Sequence, residues 1–199
     1  MFCEGMEYEV LFHAIDTKQH YIIYEDRSVE VWSLPLHHRV PCAGFLFKEK
    51  QALPHIRREM IDAFNIPISQ INNIKAGASW TTEDGTFIPH ERLTVPAEPA
   101  RSYAYCSDTR YTPRLAEMIQ GVDLLYHEAT FPHEMLTQAQ KTMHSTSIEA
   151  AMMAKSAGAA KLLIGHYSAR IKNESPLLEE AKSVFPNTIL AQEGIKIRI

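Results

Sequence analysis

The stretch HSTSIEAAMMAKSAGAAKLLIGH, from His144 to His166, contains a helix signal that is followed directly by a strand signal. Thr146 is placed as an N-cap and Glu149 follows three residues later, which is the spacing of a capping box ahead of an Ala- and Met-rich helix. The apolar run KLLIG after this helix predicts a buried strand that ends at His166. A helix that leads into a buried strand is typical of layered α/β proteins.

The rest of the chain repeats this alternation of strands and helices. Strand-type sequence lies at Glu7–Ile15, His20–Asp26, Ser28–Leu36, Cys42–Glu49, Arg101–Asp108 and Val122–Ala129, and in the closing segment TILAQEGIKIRI. Helical spacing of apolar residues lies at His55–Asn65, Pro113–Gln120 and Ser175–Phe185, whereas Asn65–Gly77 is loop-like and Glu83–Gly85 is a tight-turn signal. We find no internal repeat, low-complexity segment or long linker, so the sequence predicts one α/β domain over residues 1–199.

Length and composition exclude several classes of protein. A chain of 199 residues can bury a sizeable core, and a net charge of -4 excludes a generally basic surface that coats nucleic acid. The three cysteines include no CxxC pair, so neither a disulfide framework nor a zinc-ribbon spacing is present. No apolar run is long enough to span a bilayer. We therefore expect a cytoplasmic protein with reduced thiols.

Polar residues of the metal-ligand type follow several of the predicted strands. Functional side chains of layered sheets collect beyond the carboxyl ends of strands, and imidazoles with a carboxylate are the ligand set of zinc, manganese or iron. A single histidine at a strand end is more often structural, and an Asp-Thr pair can instead cap the next helix. The residues in question are His37, His38, Asp108 (followed by Thr109), His127, Glu128 and His166.

The segments PLHHRVPCAGFLFKE, YCSDTR, LLYHEATF, HSTSIEAAMMAKSAGAAKLLIGHYSAR and FPNTILAQEG occur in this order. Together they resemble the C-terminal two-thirds of ribonuclease Z, the endonuclease of the metallo-β-lactamase superfamily that removes 3′ trailers from precursor tRNA. The resemblance covers nearly the whole chain. It implies an αβ/βα sandwich and a hydrolytic site with two zinc ions.

The resemblance also implies roles for individual residues. It assigns His38, rather than its neighbour His37, as a zinc ligand, Asp108 as the carboxylate that bridges the two metals, and His166 as the last histidine ligand. It assigns His144 to a position near the scissile phosphate, with Glu128 orienting and polarising the imidazole. The alternative for this pair is that both residues form hydrogen bonds at a helix terminus.

The resemblance further predicts how the substrate is bound. Arg170, four residues beyond His166, either contacts a substrate phosphate or forms a structural salt bridge. Residues 48–77 correspond to the family's tRNA-binding arm, in which Arg57 and Arg58 are candidates for phosphate contacts. The alternative is a solvated amphipathic helix whose basic face has no partner. In the family the arm of one subunit holds tRNA for the other, so a homodimer is expected.

Two features depart from the family pattern. The family's His-x-His-x-Asp-His motif, which supplies most metal ligands, is absent from the chain, and the arm segment lacks the usual Gly-Pro-rich element. We therefore expect that the N-terminal part of the fold, including much of the first sheet, is missing. The chain alone is expected to bind zinc weakly and to be inactive as a nuclease. The alternatives are a non-catalytic RNA-binding or dimerising remnant, and another hydrolase of the same fold.

Overall fold

A computed structural model describes residues 9–199, within which the chain forms eleven strands and seven α-helices. The strands are β1 Ile22–Glu25, β2 Val29–Pro35, β3 Ala43–Glu49, β4 His55–Ile56, β5 Trp80–Thr81, β6 Phe87–Ile88, β7 Thr94–Val95, β8 Ser102–Cys106, β9 Leu124–Glu128, β10 Lys161–Gly165 and β11 Thr188–Leu190. The helices are α1 Arg58–Ala63, α2 Ile68–Lys75, α3 His90–Leu93, α4 Pro113–Met118, α5 Leu136–Thr142, α6 Ser147–Ser156 and α7 Ser175–Val184, with a 3₁₀ turn at His133–Met135.

The chain is divided into two compact units. Among the described residues, the first contains residues 9–26, Glu30–Lys48 and Ser102–Ile199. The second contains Arg27–Val29 and Glu49–Arg101. The segment predicted as an arm, residues 48–77, falls within the second unit except for Lys48, and this unit continues beyond it to Arg101.

The first unit is built on a seven-stranded sheet with the strand order β1-β2-β3-β8-β9-β10-β11. Strand β3 pairs antiparallel with β8, while β8, β9, β10 and β11 run parallel to one another. The carboxyl ends of parallel strands lie at the same edge of a sheet. The residues that follow β8, β9 and β10 are therefore brought to one edge.

The core of the first unit lies between one face of this sheet and helices α4, α6 and α7. Strand residues Leu46, Ala104, Leu125 and Ile164 face this core and are almost fully buried. Helix α6 presents mainly alanines to it, and small side chains allow a helix to approach a sheet closely. Its predicted capping box is confirmed: Thr146 accepts a hydrogen bond from the Glu149 amide, and the Glu149 side chain accepts one from the Thr146 amide.

The opposite face of the sheet carries an aromatic row. The rings of Phe47 and Tyr103 stack with centroids 5.9 Å apart, and those of Tyr105 and Tyr126 stack at 4.8 Å. A Cβ atom at Gly165 would lie 2.5 Å from the Tyr126 hydroxyl oxygen. This position in β10 therefore requires glycine while Tyr126 keeps its stacked position.

The second unit has a separate and much smaller apolar core. Its strands form two short antiparallel pairs, β4 with β7 and β5 with β6. The buried members of its core are Ile66, Ile74, Ile88 and Leu93. Such a small core provides far less hydrophobic stabilisation than the core of the first unit.

The structure confirms most predicted elements and corrects four of them. Of the strand predicted at Glu7–Ile15, the first two residues lie outside the described part, and residues 9–15 form no strand. The helix predicted at His55–Asn65 begins only at Arg58, because His55–Ile56 pairs with β7 instead. The loop-like segment Asn65–Gly77 contains α2, since Ile74 packs into the core of the second unit. The closing segment forms a strand only at Thr188–Leu190. Within residues 9–199, every helix is too short or too polar to cross a membrane.

Candidate active site

The loops at the carboxyl edge of the parallel strands bring the predicted site residues together. Asp108 follows β8, Glu128 ends β9 and His166 follows β10, while His144 lies just before α6. The loop after β2 reaches the same edge, because the His37 amide donates to the Thr109 hydroxyl at 3.1 Å and the Arg110 amide donates to the His37 carbonyl at 3.0 Å.

Two overlapping groups of three residues could hold a metal ion, namely His38, Asp108 and His144, and Glu128, His144 and His166. The His166 Nε2 atom lies 3.4 Å from Asp108 Oδ1, and ligand atoms of His38, Asp108 and His144 all lie within 4.8 Å of one another. His37 is exposed and belongs to neither group of potential ligands found among residues 9–199. The geometry therefore brings His38, and not His37, to the site.

His38 and His166 both form a hydrogen bond through Nδ1. His38 Nδ1 lies 3.0 Å from the Met143 carbonyl oxygen, which can only accept, so Nδ1 bears the proton. His166 Nδ1 lies 3.0 Å from the Thr130 hydroxyl. In His38 this leaves Nε2 unprotonated and able to bind a metal, the arrangement typical of metal-binding histidines whose other nitrogen is hydrogen-bonded. Two imidazoles and the Asp108 carboxylate thus fit a divalent metal ion.

Glu128 is fully buried, and hydrogen bonds saturate its carboxylate. The Thr109 amide donates to Oε1 at 2.5 Å, while the Thr130 hydroxyl and the Ser145 amide donate to Oε2 at 2.6 and 3.0 Å. His144 Nδ1 lies 3.0 and 3.1 Å from the two oxygens. Burial by itself raises the pKa of Glu128, but these hydrogen bonds outweigh it and lower the pKa below its ordinary value. Glu128 therefore remains ionised, and its carboxylate is hydrogen-bonded to the His144 ring.

The His144 ring is held through Nδ1, so that its Nε2 atom remains available. Its Nδ1–H donates to Glu128, and this hydrogen bond raises the pKa of His144, against the effect of burial. The positive charge of Arg39 slightly opposes the rise in pKa, which places this exposed arginine in the electrostatic environment of the imidazole. The result is a histidine that retains a proton more readily than usual.

The backbone around the site is strained. Four non-glycine residues in the described part of the chain have a positive φ angle, and three of them border this site: Asp108, Met143 and His166, at 59°, 63° and 57°. A residue in this left-handed conformation costs free energy that the surrounding structure must offset. Such strain is common where side chains must be aimed at a functional centre.

Sequence reasoning missed the residues that support Glu128. Thr109 does not cap the next helix, since Thr112 occupies the N-cap position of α4, and instead it donates its amide to Glu128. Ser145 donates its hydroxyl to the Thr109 carbonyl oxygen at 2.7 Å. Isolated threonines and serines are common in loops, so only a three-dimensional arrangement distinguishes these.

His127 lies apart from the cluster. It is fully buried, its Nδ1 donates to the Glu128 carbonyl at 2.8 Å, and burial lowers its pKa. Its Nε2 has no hydrogen-bond partner among the described residues. His127 is thus a neutral histidine of the interior, which agrees with the structural alternative for a strand-end histidine.

The three predicted substrate-binding arginines lie in different settings. Arg170 is exposed on the segment after His166, in the first unit. Arg57 and Arg58 belong to the second unit, where Arg58 is exposed at the start of α1. Arg57 is half-buried, and its Nε donates to the Thr94 carbonyl oxygen at 3.2 Å. Part of the donor capacity of Arg57 is thus already used inside the unit.

The chain is similar in sequence to curated ribonuclease Z proteins over its full length. It is 50% identical over 198 residues to ribonuclease Z of Bacteroides fragilis strain YCH46, covering 100% of this chain and 65% of the relative. Over 196 residues it is 50% identical to ribonuclease Z of Porphyromonas gingivalis, covering 98% of this chain and 64% of the relative. The chain thus spans about two-thirds of the length of these relatives. No family model matches the chain.

Solved structures confirm the predicted fold class. The metallo-β-lactamase fold protein YhfI from Bacillus subtilis matches with a TM-score of 0.58 at 20% identity, over 92% of this chain and 54% of that protein. The short form of human tRNase Z matches with a TM-score of 0.51 at 20% identity, over 92% of this chain and 48% of that protein. At this level of identity the likeness establishes the fold alone.

Proposed function

Because the chain belongs to the ribonuclease Z family, we propose that this protein is a zinc-dependent endoribonuclease that removes the 3′ trailer from precursor tRNA. The observation that supports this most directly is the adjacency of two sets of side chains. His166 Nε2 lies 3.4 Å from the Asp108 carboxylate and a ligand atom of His38 lies within 4.8 Å of it, next to a histidine that is hydrogen-bonded to a buried glutamate.

In this proposal His38, Asp108 and His166 hold the metal. When bound, a pair of zinc ions supplies an activated hydroxide and positive charge at the phosphodiester. Asp108 would help to hold the ions through its carboxylate oxygens. The hydrogen bond from His38 Nδ1 to the Met143 carbonyl oxygen holds this ring with Nε2 available for a metal, and the Thr130 hydroxyl contacts His166 Nδ1.

His144 and Glu128 are proposed as the acid–base pair. Glu128 accepts the Nδ1 proton of His144, so the Nε2 atom faces the substrate. The raised pKa keeps a second proton on the imidazole at neutral pH in a larger fraction of molecules. This Nε2–H can protonate the departing 3′ oxygen of the tRNA, which is general acid catalysis.

We further propose that residues 48–77 are the tRNA-binding arm. This segment contains five basic and three acidic residues, which gives it positive charge for phosphate contacts. Arg58 is exposed and available, and Arg57 lies beside it. Arg170 is proposed to contact phosphate near the site. A homodimer and a cytoplasmic location are part of the same proposal.

The 199 residues alone are proposed to be inactive. Two zinc ions require about eight ligand contacts. His38, Asp108 and His166 together offer far fewer, even when Asp108 binds both ions. A polypeptide limited to these residues should therefore bind zinc weakly and should not process precursor tRNA.

A fusion tests both statements. The part of the Bacteroides fragilis relative that precedes the matched region is fused to this chain, and zinc content and cleavage of a precursor tRNA are measured. We expect about two zinc ions and cleavage at the 3′ trailer for the fusion, and neither for the 199 residues. In the fusion, His166→Ala should abolish zinc binding, whereas His144→Ala should retain zinc and lower kcat by about 10²- to 10⁴-fold.

Two outcomes contradict the proposal. A fusion that holds two zinc ions but leaves the trailer attached contradicts the nuclease function. Turnover by the 199 residues with two zinc ions bound contradicts their proposed inactivity. Binding of tRNA with a steep salt dependence but without metal in either protein favours the non-catalytic remnant.

A further inference from the structure

Thr130 occupies the centre of the candidate site without belonging to either set of predicted site residues. It follows β9 and is 6% exposed. Its hydroxyl oxygen lies 2.6 Å from Glu128 Oε2 and 3.0 Å from His166 Nδ1. The same oxygen lies 3.0 Å from the His166 carbonyl oxygen and 3.4 Å from His144 Nδ1. One hydroxyl group thus touches both the glutamate and the predicted metal ligand.

The hydroxyl proton can serve only one of these acceptors. A threonine hydroxyl has one proton to donate and lone pairs that can accept. The ionised carboxylate is both the closest and the strongest acceptor, so the proton is directed to Glu128 Oε2. The oxygen then accepts the Nδ1 proton of His166, whose Nε2 faces Asp108. The contact with His144 is minor, since its Nδ1 proton already goes to Glu128.

The backbone of Thr130 restrains the same segment. Its carbonyl oxygen accepts a hydrogen bond from the Ser168 amide at 3.1 Å, and the preceding Ala129 amide donates to the Gly165 carbonyl at 2.8 Å. These two bonds lie on either side of His166, which has a positive φ angle. The side-chain and backbone contacts of Thr130 therefore hold a conformation that a non-glycine residue rarely adopts.

We propose that Thr130 is a positioning residue that fixes the Nδ1–H tautomer of His166 and, through the same hydroxyl, holds Glu128 against His144. The metal ligand and the acid–base pair are then joined in one hydrogen-bonded chain. The catalytic consequence rests on the proposed function, whereas the tautomer is a property of this chain alone. This role requires a hydroxyl group, so threonine or serine can fill the position. Valine has the shape of threonine but lacks the hydroxyl.

The primary test is the tautomer of His166 in the metal-free 199-residue chain. Long-range proton–nitrogen NMR on histidine labelled with ¹⁵N distinguishes the two tautomers of the neutral ring, and a His166→Gln variant assigns the signal. We expect the Nδ1–H form in the wild type and in Thr130→Ser, and a shift toward Nε2–H in Thr130→Val. An Nε2–H form in the wild type overturns the proposal. So does a Thr130→Val variant that keeps the wild-type tautomer, or a folded Thr130→Ser variant that behaves like Thr130→Val.

A second measurement separates this proposal from the proposed function. In the fusion protein, titration with Co²⁺ should show about 10- to 100-fold weaker metal binding for Thr130→Val. Thr130→Ser should restore binding, and the KM for precursor tRNA should not change. Equal Co²⁺ affinity in Thr130→Val and the wild type contradicts the positioning role. Failure of every fusion variant to cleave tRNA, with the tautomer pattern intact, contradicts the proposed function and leaves the role of Thr130 supported.

Discussion

The two units of this chain use polar residues in opposite ways. In the first unit, Glu128 is fully buried and accepts hydrogen bonds at 2.5 to 3.1 Å from four surrounding groups. In the second unit, Arg58 and most other charged side chains are exposed around a core of four buried apolar residues. A buried, saturated carboxylate fixes geometry and tolerates little change. Exposed charges each contribute a modest amount to stability, and these contributions add. Substitutions should therefore have large effects on the first unit and graded effects on the second.

The largest effect is expected for Glu128→Gln. The amide group turns an NH₂ toward groups that donate to the carboxylate, and it removes the negative charge beside His144. We expect a loss of about 3–5 kcal/mol in the free energy of unfolding, measured by urea denaturation. Glu117→Gln on the exposed side of α4 is the control and should change stability by less than about 0.5 kcal/mol. Equal losses in the two variants would mean that the buried network contributes nothing specific.

A smaller effect is expected for the core of the second unit. Ile74 is 1% exposed and Ile68, in the same helix α2, is 85% exposed. Ile74→Ala should cost about 2–5 kcal/mol of local stability, whereas Ile68→Ala should be near neutral. Amide hydrogen exchange is the measurement, because it resolves residues 49–101 from the sheet of the first unit. Faster exchange that is confined to the second unit in Ile74→Ala would support separate cores in the two units. An equal increase in both units contradicts it.

Elements that depend on nearby residues could be predicted from the sequence, whereas elements that depend on distant partners could not. The capping box at Thr146 and Glu149 and the apolar run of β10 depend on neighbours in the chain, and both were predicted correctly. A strand, by contrast, needs a partner. Residues 9–15 have strand-type sequence but form no strand, and Phe12 is 87% exposed.

The candidate site shows the same limit. His38, Asp108 and His166 stand at strand ends and could be singled out by residue type, with the resemblance to ribonuclease Z selecting among them. Thr109 and Thr130 could not, because a threonine in a loop carries no chemical signature. Their importance comes from contacts with Glu128 across 19 and 2 positions of the chain. Only the fold determines which threonines meet a buried carboxylate.

The pH dependence of stability tests the buried pair directly. The pKa of His144 is raised above its ordinary 6.5, so its contribution is complete below pH 6.5 and is lost as the pH rises through the raised value. The pKa of Glu128 is lowered below 4.5, so its contribution is present above pH 4.5 and is lost as the pH falls through the lowered value.

Between pH 4.5 and pH 6.5, Glu128 and His144 both contribute to stability. The stability difference between the metal-free wild type and His144→Gln should therefore be largest between pH 4.5 and 6.5 and should shrink at alkaline pH. Urea denaturation at several pH values, with a chelator present, measures this difference. A difference that grows toward alkaline pH contradicts the ion pair. His133→Gln, at the 3₁₀ turn, serves as the control.

The smallest effects are expected for the two neighbouring arginines of the second unit, and they should differ in kind. Arg58 is exposed, so Arg58→Ala should leave stability unchanged. It should weaken tRNA binding by about 1 kcal/mol, roughly fivefold in Kd, and lower the salt slope by about 1. Arg57 donates a hydrogen bond to the Thr94 carbonyl oxygen, so Arg57→Ala should also lower stability, by about 0.5–1.5 kcal/mol. Filter binding across a salt series and urea denaturation measure the two quantities. If Arg58→Ala leaves both the affinity and the salt slope unchanged, the exposed charge of α1 does not contact tRNA, and the proposed arm must bind through other residues.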